Sequence, residues 1–213
     1  MKNLFAYSLT TLLILINGNT QAQDLCRENS CRQRFFFENK TLLYSEVLGG
    51  INFLKTNKCN KVKSHYHPGY IVSGSLGYRW CGGINIEVEY AFRRNEFKNI
   101  KFSDHNYSLD GHFQSSSYMG NWLWYIPASF GHNFWNLKSY VGFGMGYDFQ
   151  QVHGSNDELV FIQTEKGFAW QLMAGLSYPL FCKTMLSLEY KLHQGRLTYI
   201  YNNSLGVSLT HRF

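Results

Sequence analysis

Glu87 and Glu89 stand two residues apart, with Arg79 before them and Arg93 after. Glu189, Lys191 and His193 repeat that spacing near the C-terminus, and Arg212 follows. Paired carboxylates beside basic groups can serve as general acid and base. The spacing points elsewhere. A step of two is the step of a β-strand, so each set lies along one face, and the residues between (Val88; Leu188, Tyr190 and Leu192) are apolar. Charged residues of both signs along one face of a strand read as ion pairs filling an enclosed space, where an isolated charge would be costly. His153 near Ser155 and His193 near Glu189 lack an ordered third partner for nucleophilic catalysis. Cys59, His65 and His67 have no standard zinc spacing, and His105 and His112 fall in predicted surface loops. The sequence therefore predicts no catalytic residues, no metal and no cofactor.

The elements that would hold these charges are strands with one apolar and one polar face. In the clearest stretch, Tyr70, Val72, Leu76, Tyr78 and Trp80 alternate with Ser73, Ser75, Gly77 and Arg79. After Cys81-Gly82-Gly83, Ile84, Ile86, Val88, Tyr90 and Phe92 alternate with Asn85, Glu87, Glu89, Ala91 and Arg93. The pattern recurs at Leu43–Leu54 with Glu46 inward, Ser116–Ile126 with Asn121 inward, Leu137–Phe149, and Phe168–Tyr178 with Gln171 inward. Beyond Pro179–Lys183 it places Glu189 and Lys191 inward, and it ends with Arg212 inward and Phe213 outward. The start of the last strand stays open, because Leu197, Tyr199 and Tyr201 keep its parity. Gly142, Gly144 and Gly146 on one polar face predict room for bulky residues from the opposite wall. Long connections at Lys55–Pro68, Lys98–Gln114 and Gln150–Gly167 alternate with short turns, and aromatic residues cluster near strand ends. The predicted fold class is all-β: an eight-stranded antiparallel transmembrane β-barrel, up-and-down, with the long loops outside.

Composition agrees. A chain of 213 residues, 17% aromatic, with Gly 19 and Pro 3, fits one strand-rich domain. The mean hydropathy of -0.28 hides membrane character, since inward polar residues cancel outward apolar ones. Lys2, the apolar run Leu4–Ile16 and Thr20-Gln21-Ala22 predict a signal peptide over 1–22, hence export. A periplasmic leader over 23–40 and the barrel over 41–213 follow. Export permits disulfides. Cys81 and Cys182 fall in turns across the ring from one another, too far for a bond needing Cα atoms within about 7 Å, so bridges are expected to involve Cys26 and Cys31. The net charge of +6 is spread over predicted loops and the leader without an aromatic-laced patch, which disfavours nucleic acid and favours anionic lipid headgroups or surface sugar.

Several segments carry a family resemblance. They are Gly77-Tyr78-Arg79, Ile84–Tyr90, Tyr118-Met119-Gly120-Asn121, Tyr140–Tyr147, Ala174–Tyr178 and the terminal Phe213. Together they resemble the surface-antigen and opacity-type porin family of Gram-negative bacteria, small barrels of the outer membrane protein A-like kind. His211 departs from the aromatic or aliphatic residue often found two before the terminal Phe. The resemblance implies residence in the cell outer membrane, contact with its lipid and lipopolysaccharide, and variable loops that meet a host surface or extracellular ligand. Leu209 and Phe213 resemble the terminal signal read by the outer-membrane assembly machinery. The expected function is that of a surface antigen, adhesin or envelope structural protein without catalysis. The alternatives are a narrow porin for small solutes and a lipid-modifying barrel enzyme.

Overall fold

Alternation sets the architecture. In the computed structural model, which describes residues 42–56, 62–80, 83–102, 105–107, 110–126, 137–156, 159–197 and 200–213, ten strands carry most of the chain. They are β1 (Leu42–Thr56), β2 (Val62–Tyr66), β3 (Gly69–Arg79), β4 (Ile84–Phe102), β5 (His105–Tyr107), β6 (Asp110–Tyr125), β7 (Lys138–Asn156), β8 (Leu159–Phe181), β9 (Thr184–Gln194) and β10 (Ile200–Arg212). Eight of them form a closed antiparallel barrel in the order β4-β3-β1-β10-β9-β8-β7-β6, with β6 pairing back onto β4. β2 and β5 both pair with the far end of β4. The signal peptide, the leader, Cys26, Cys31, Cys59 and Cys81 lie outside the described residues.

The two faces part as a bilayer requires. Outward apolar residues are exposed around the whole ring, among them Val47, Leu76, Val88, Trp122, Phe143, Leu172, Leu188 and Val207. The inward face buries polar residues such as Asn52, Ser75, Ser117, Gln171 and Ser208. An apolar outer band with a polar interior is the transmembrane barrel pattern. β1 pairs with β10 from Tyr44↔Arg212 to Thr56↔Ile200, which leaves the barrel no free edge within the bilayer.

The connections differ from expectation. β4 and β7 run for 19 residues and β8 for 23, although about 9–11 suffice to cross a bilayer. The long connections expected at Lys98–Gln114 and Gln150–Gly167 are therefore largely strand, and the first, Lys55–Pro68, contains β2. Past the bilayer the outward positions become polar: Arg94, Glu96, His112, Gln114, Gln151, His153 and Thr164. The hydrophobic alternation stops at the membrane surface while the hydrogen-bonded ladder continues. β10 starts at Ile200, so Leu197 stands outside the strand.

The glycine prediction also needs correcting. A Cβ on Gly142 would meet Leu123 and Met173, and one on Gly144 would meet Asn121 and Gln171. That space is filled from the adjacent strands β6 and β8, the direct partners of β7, rather than from the opposite wall.

Cys182 is disulfide-bonded, and its partner is one of the four cysteines outside the described residues. The β3–β4 and β8–β9 turns stand four strands apart in a ring of eight, on opposite sides. Non-reducing peptide mapping should join Cys182 to Cys26 or Cys31. Recovery of a Cys81–Cys182 peptide would overturn that assignment.

Candidate functional site

The candidate site is the lumen, and it is built from cross-strand rows. Tyr44 on β1 stands opposite Gly77 on β3, which stands opposite Glu87 on β4. A Cβ on Gly77 would lie 2.1 Å from the Tyr44 ring, so only glycine lets that ring cross the strand. The Tyr44 hydroxyl then donates to Glu87 Oε1 at 2.6 Å. The opposite wall repeats the device. Tyr140 on β7 crosses Gly175 on β8, whose Cβ would lie 2.3 Å from its ring, and its hydroxyl donates to Glu189 on β9.

Between the two rows lies the charge network. Lys191 pairs with Glu89 and, at 2.9 Å, with Glu189, all of them almost fully buried. Glu89 also accepts from Asn121 Nδ2 at 2.8 Å and Gln171 Nε2 at 2.7 Å. Arg93 donates to Ser117 Oγ at 2.8 Å and to Gln171 Oε1 at 3.4 Å. Toward the end where β7 and β8 extend, Asp148 accepts from Ser115 at 2.8 Å and lies 3.0 Å from His193 Nε2. At the end near the short β8–β9 turn, Thr210 donates to Glu46 at 2.7 Å, and Arg79 and Arg212 line a small pocket with Tyr44, Asn85 and Tyr125. An eight-stranded barrel has width only for such side chains or for one small ligand.

Above the network the lining turns apolar. Phe113, Val152, Leu197 and Ile200 form a buried cluster, with Leu54 and Tyr66 packed on it. Leu197, just after β9, turns inward to complete it. The Leu197 amide donates to Gln150 Oε1 at 2.8 Å, and Gly195 sits where a Cβ would lie 2.3 Å from Asp148. Sequence reasoning missed this cap, and it missed Tyr44, Tyr140 and Asp148. The signal for the tyrosines was parity: Tyr44 shares it with Glu46, and Tyr140 with Gly142.

Two of the polar residues on the outer wall beyond the bilayer stack on one another. The apolar band of β6 begins at Tyr118, so His112 lies outside the membrane-spanning part, stacked on His153 at 5.3 Å between ring centres. Burial, then Arg94 and His153, hold the His112 imidazole below its ordinary range, while Glu96 acts the other way.

A closed barrel with an apolar belt and a polar, filled lumen defines an integral outer-membrane protein. The chain belongs to the outer membrane protein beta-barrel domain family, whose model matches residues 39–213. It lies in the cell outer membrane. Comparison with curated proteins finds no match. Among solved structures, Neisserial surface protein A aligns with a TM-score of 0.57 and 14% identity over 80% of this chain and 97% of its own. Ail of Yersinia pestis, solved in complex with the heparin analogue sucrose octasulfate, gives 0.49 and 14% over 81% and 98%. OprG of Pseudomonas aeruginosa gives 0.47 and 11% over 81% and 95%. At such identities the likeness is one of fold.

Because Lys191 bridges two buried carboxylates, Lys191→Met should cost about 3–5 kcal/mol by leaving Glu89 and Glu189 uncompensated. Urea unfolding of the barrel in detergent, followed by tryptophan fluorescence, would measure it. A change under about 1 kcal/mol would mean that the lumen is wet enough to solvate both carboxylates.

Proposed function

We propose that this protein is a non-catalytic, non-conducting surface protein: a membrane anchor that holds a folded end outside the cell for contact with an external ligand. The observation that carries this reading is the lumen filled by paired charges and capped by Phe113, Val152, Leu197 and Ile200. A second supports it, namely that β4, β6, β7 and β8 continue past the apolar belt. In barrels of this class the longer connections face outward and the short turns face the periplasm. The termini of the barrel and the short β8–β9 turn share one end, so the extended strands would stand outside. There Lys55, Arg94 and Lys166 face outward just above the belt, and Lys166 Nζ lies 5.5 Å from the centre of the Phe149 ring. Such cations suit the phosphates of lipopolysaccharide or other anionic surface sugar.

Two measurements test the reading. Single cysteines in place of Asn156 and Gly83 should differ on intact cells. The first should react with a membrane-impermeant maleimide, and the second only after lysis. Reversed labelling would invert the topology. Purified barrel in planar bilayers should give no stable conductance, and steady ion-conducting steps would favour the narrow porin instead.

Assembly supplies a third prediction. Phe213 is exposed, its amide donates to the Leu43 carbonyl at 3.1 Å, and Leu209 faces outward on the closing strand. If this end is the signal for the assembly machinery, Phe213→Asp should lower the heat-sensitive, gel-shifted folded species in membranes several-fold. An unchanged yield would reduce Phe213 to an interfacial aromatic.

A further inference from the structure

Beyond the bilayer surface, three chemistry-bearing residues fall into one cross-strand row. Glu96 on β4 pairs with His112 on β6, and His112 pairs with His153 on β7. All three lie on the outward face, away from the lumen network. Directly opposed residues of an antiparallel pair have Cβ atoms about 4.5–5.5 Å apart. The two imidazoles are already brought together, their planes 21° apart and their centres 5.3 Å apart.

We propose that His112 and His153 form a surface site for a borderline divalent transition metal of the zinc, nickel or copper(II) class, with Glu96 the neighbouring carboxylate. A metal about 2.1 Å from one nitrogen of each ring, at a tetrahedral angle, places the ring centres about 5 Å apart. The observed separation needs almost no adjustment; the rings need only rotate to aim a nitrogen each at the shared point. Imidazole selects this class of ion, whereas calcium and magnesium require a cage of oxygens that the row lacks. Among the described residues no three such groups converge as they stand, so water or a rotated Glu96 side chain would complete the coordination.

The surrounding charges fit a ligand role. Arg94 lies one pair below the row, opposite Gln114, where it repels an incoming cation, and Glu96 offsets that repulsion. On the far side His153 meets Ile162 of β8, so no further charge enters from that strand. A metal held here would tie β6 to β7 where the ladder has left the lipid.

Isothermal titration of the folded full chain in detergent with zinc chloride and with nickel chloride tests the site. At about pH 7.5, one metal should bind per barrel. His112→Ala and His153→Ala should each weaken binding about tenfold or more. His211→Ala, at the opposite end of the barrel, should leave it unchanged. Lowering the pH to about 5 should abolish binding as the imidazoles protonate. A gel-shift assay of each variant verifies the fold. No binding by the unsubstituted chain, or affinity retained in both single variants, would overturn the proposal.

Discussion

Within the bilayer every backbone amide and carbonyl must find a partner inside the protein, since an unpaired group costs several kcal/mol there. A sheet meets that demand only by closing on itself, and here closure rests on the β1–β10 ladder. With eight strands around the ring, the lumen is narrow enough for side chains to fill and is lined by polar ones. Glu89 and Glu189 therefore meet Lys191 at close range, Asp148 meets His193, Glu87 meets Tyr44 and Glu46 meets Thr210. The charge network follows from the closure. It is how a small closed sheet fills itself.

The Tyr–Gly–Glu rows show how that filling also fixes register. Tyr44 reaches Glu87 only because Gly77 stands between them, and Tyr140 reaches Glu189 only across Gly175. Sliding any strand by one residue would turn its inward set toward lipid. Each row would then lose its glycine crossing and expose a carboxylate to hydrocarbon. The network spans β4, β6, β8 and β9, so a slip anywhere breaks hydrogen bonds on both sides.

The membrane-spanning part was legible in the sequence because two solvents act on alternate residues there. Val88 and Glu89 differ as oil and water differ, and the pattern shows it. The lumen pairs were legible only as a class of residue. That Lys191 meets Glu89 depends on contacts 102 positions apart, which alternation along one strand does not encode. The extension reads as loop in the sequence for a related reason. Once β4 passes Phe92 its outward face is polar, so the contrast between faces that marks a strand fades although the ladder continues. His112 and His153 were invisible as a pair because only the β6–β7 register brings them together.

The cap shows what replaces lipid above the membrane. Inside the bilayer the barrel is apolar outside and polar within. Above it, Phe113, Val152, Ile200 and Leu54 point inward on the same parity that carried Ser115, Gln150, Ser204 and Asn52 below. Meanwhile Gln114, Gln151 and Thr164 occupy the outward positions that held Tyr118, Tyr147 and Phe168. The strands do not change; the solvent does. Water outside offers no apolar contact, so the extension has to build a core of its own, and the only enclosed space available is the mouth of the lumen. A single cluster thus does two things that a wider barrel would have to separate. It fills the mouth of the lumen at the extended end, and it gives the extended strands the buried apolar contacts that lipid supplied to the rest.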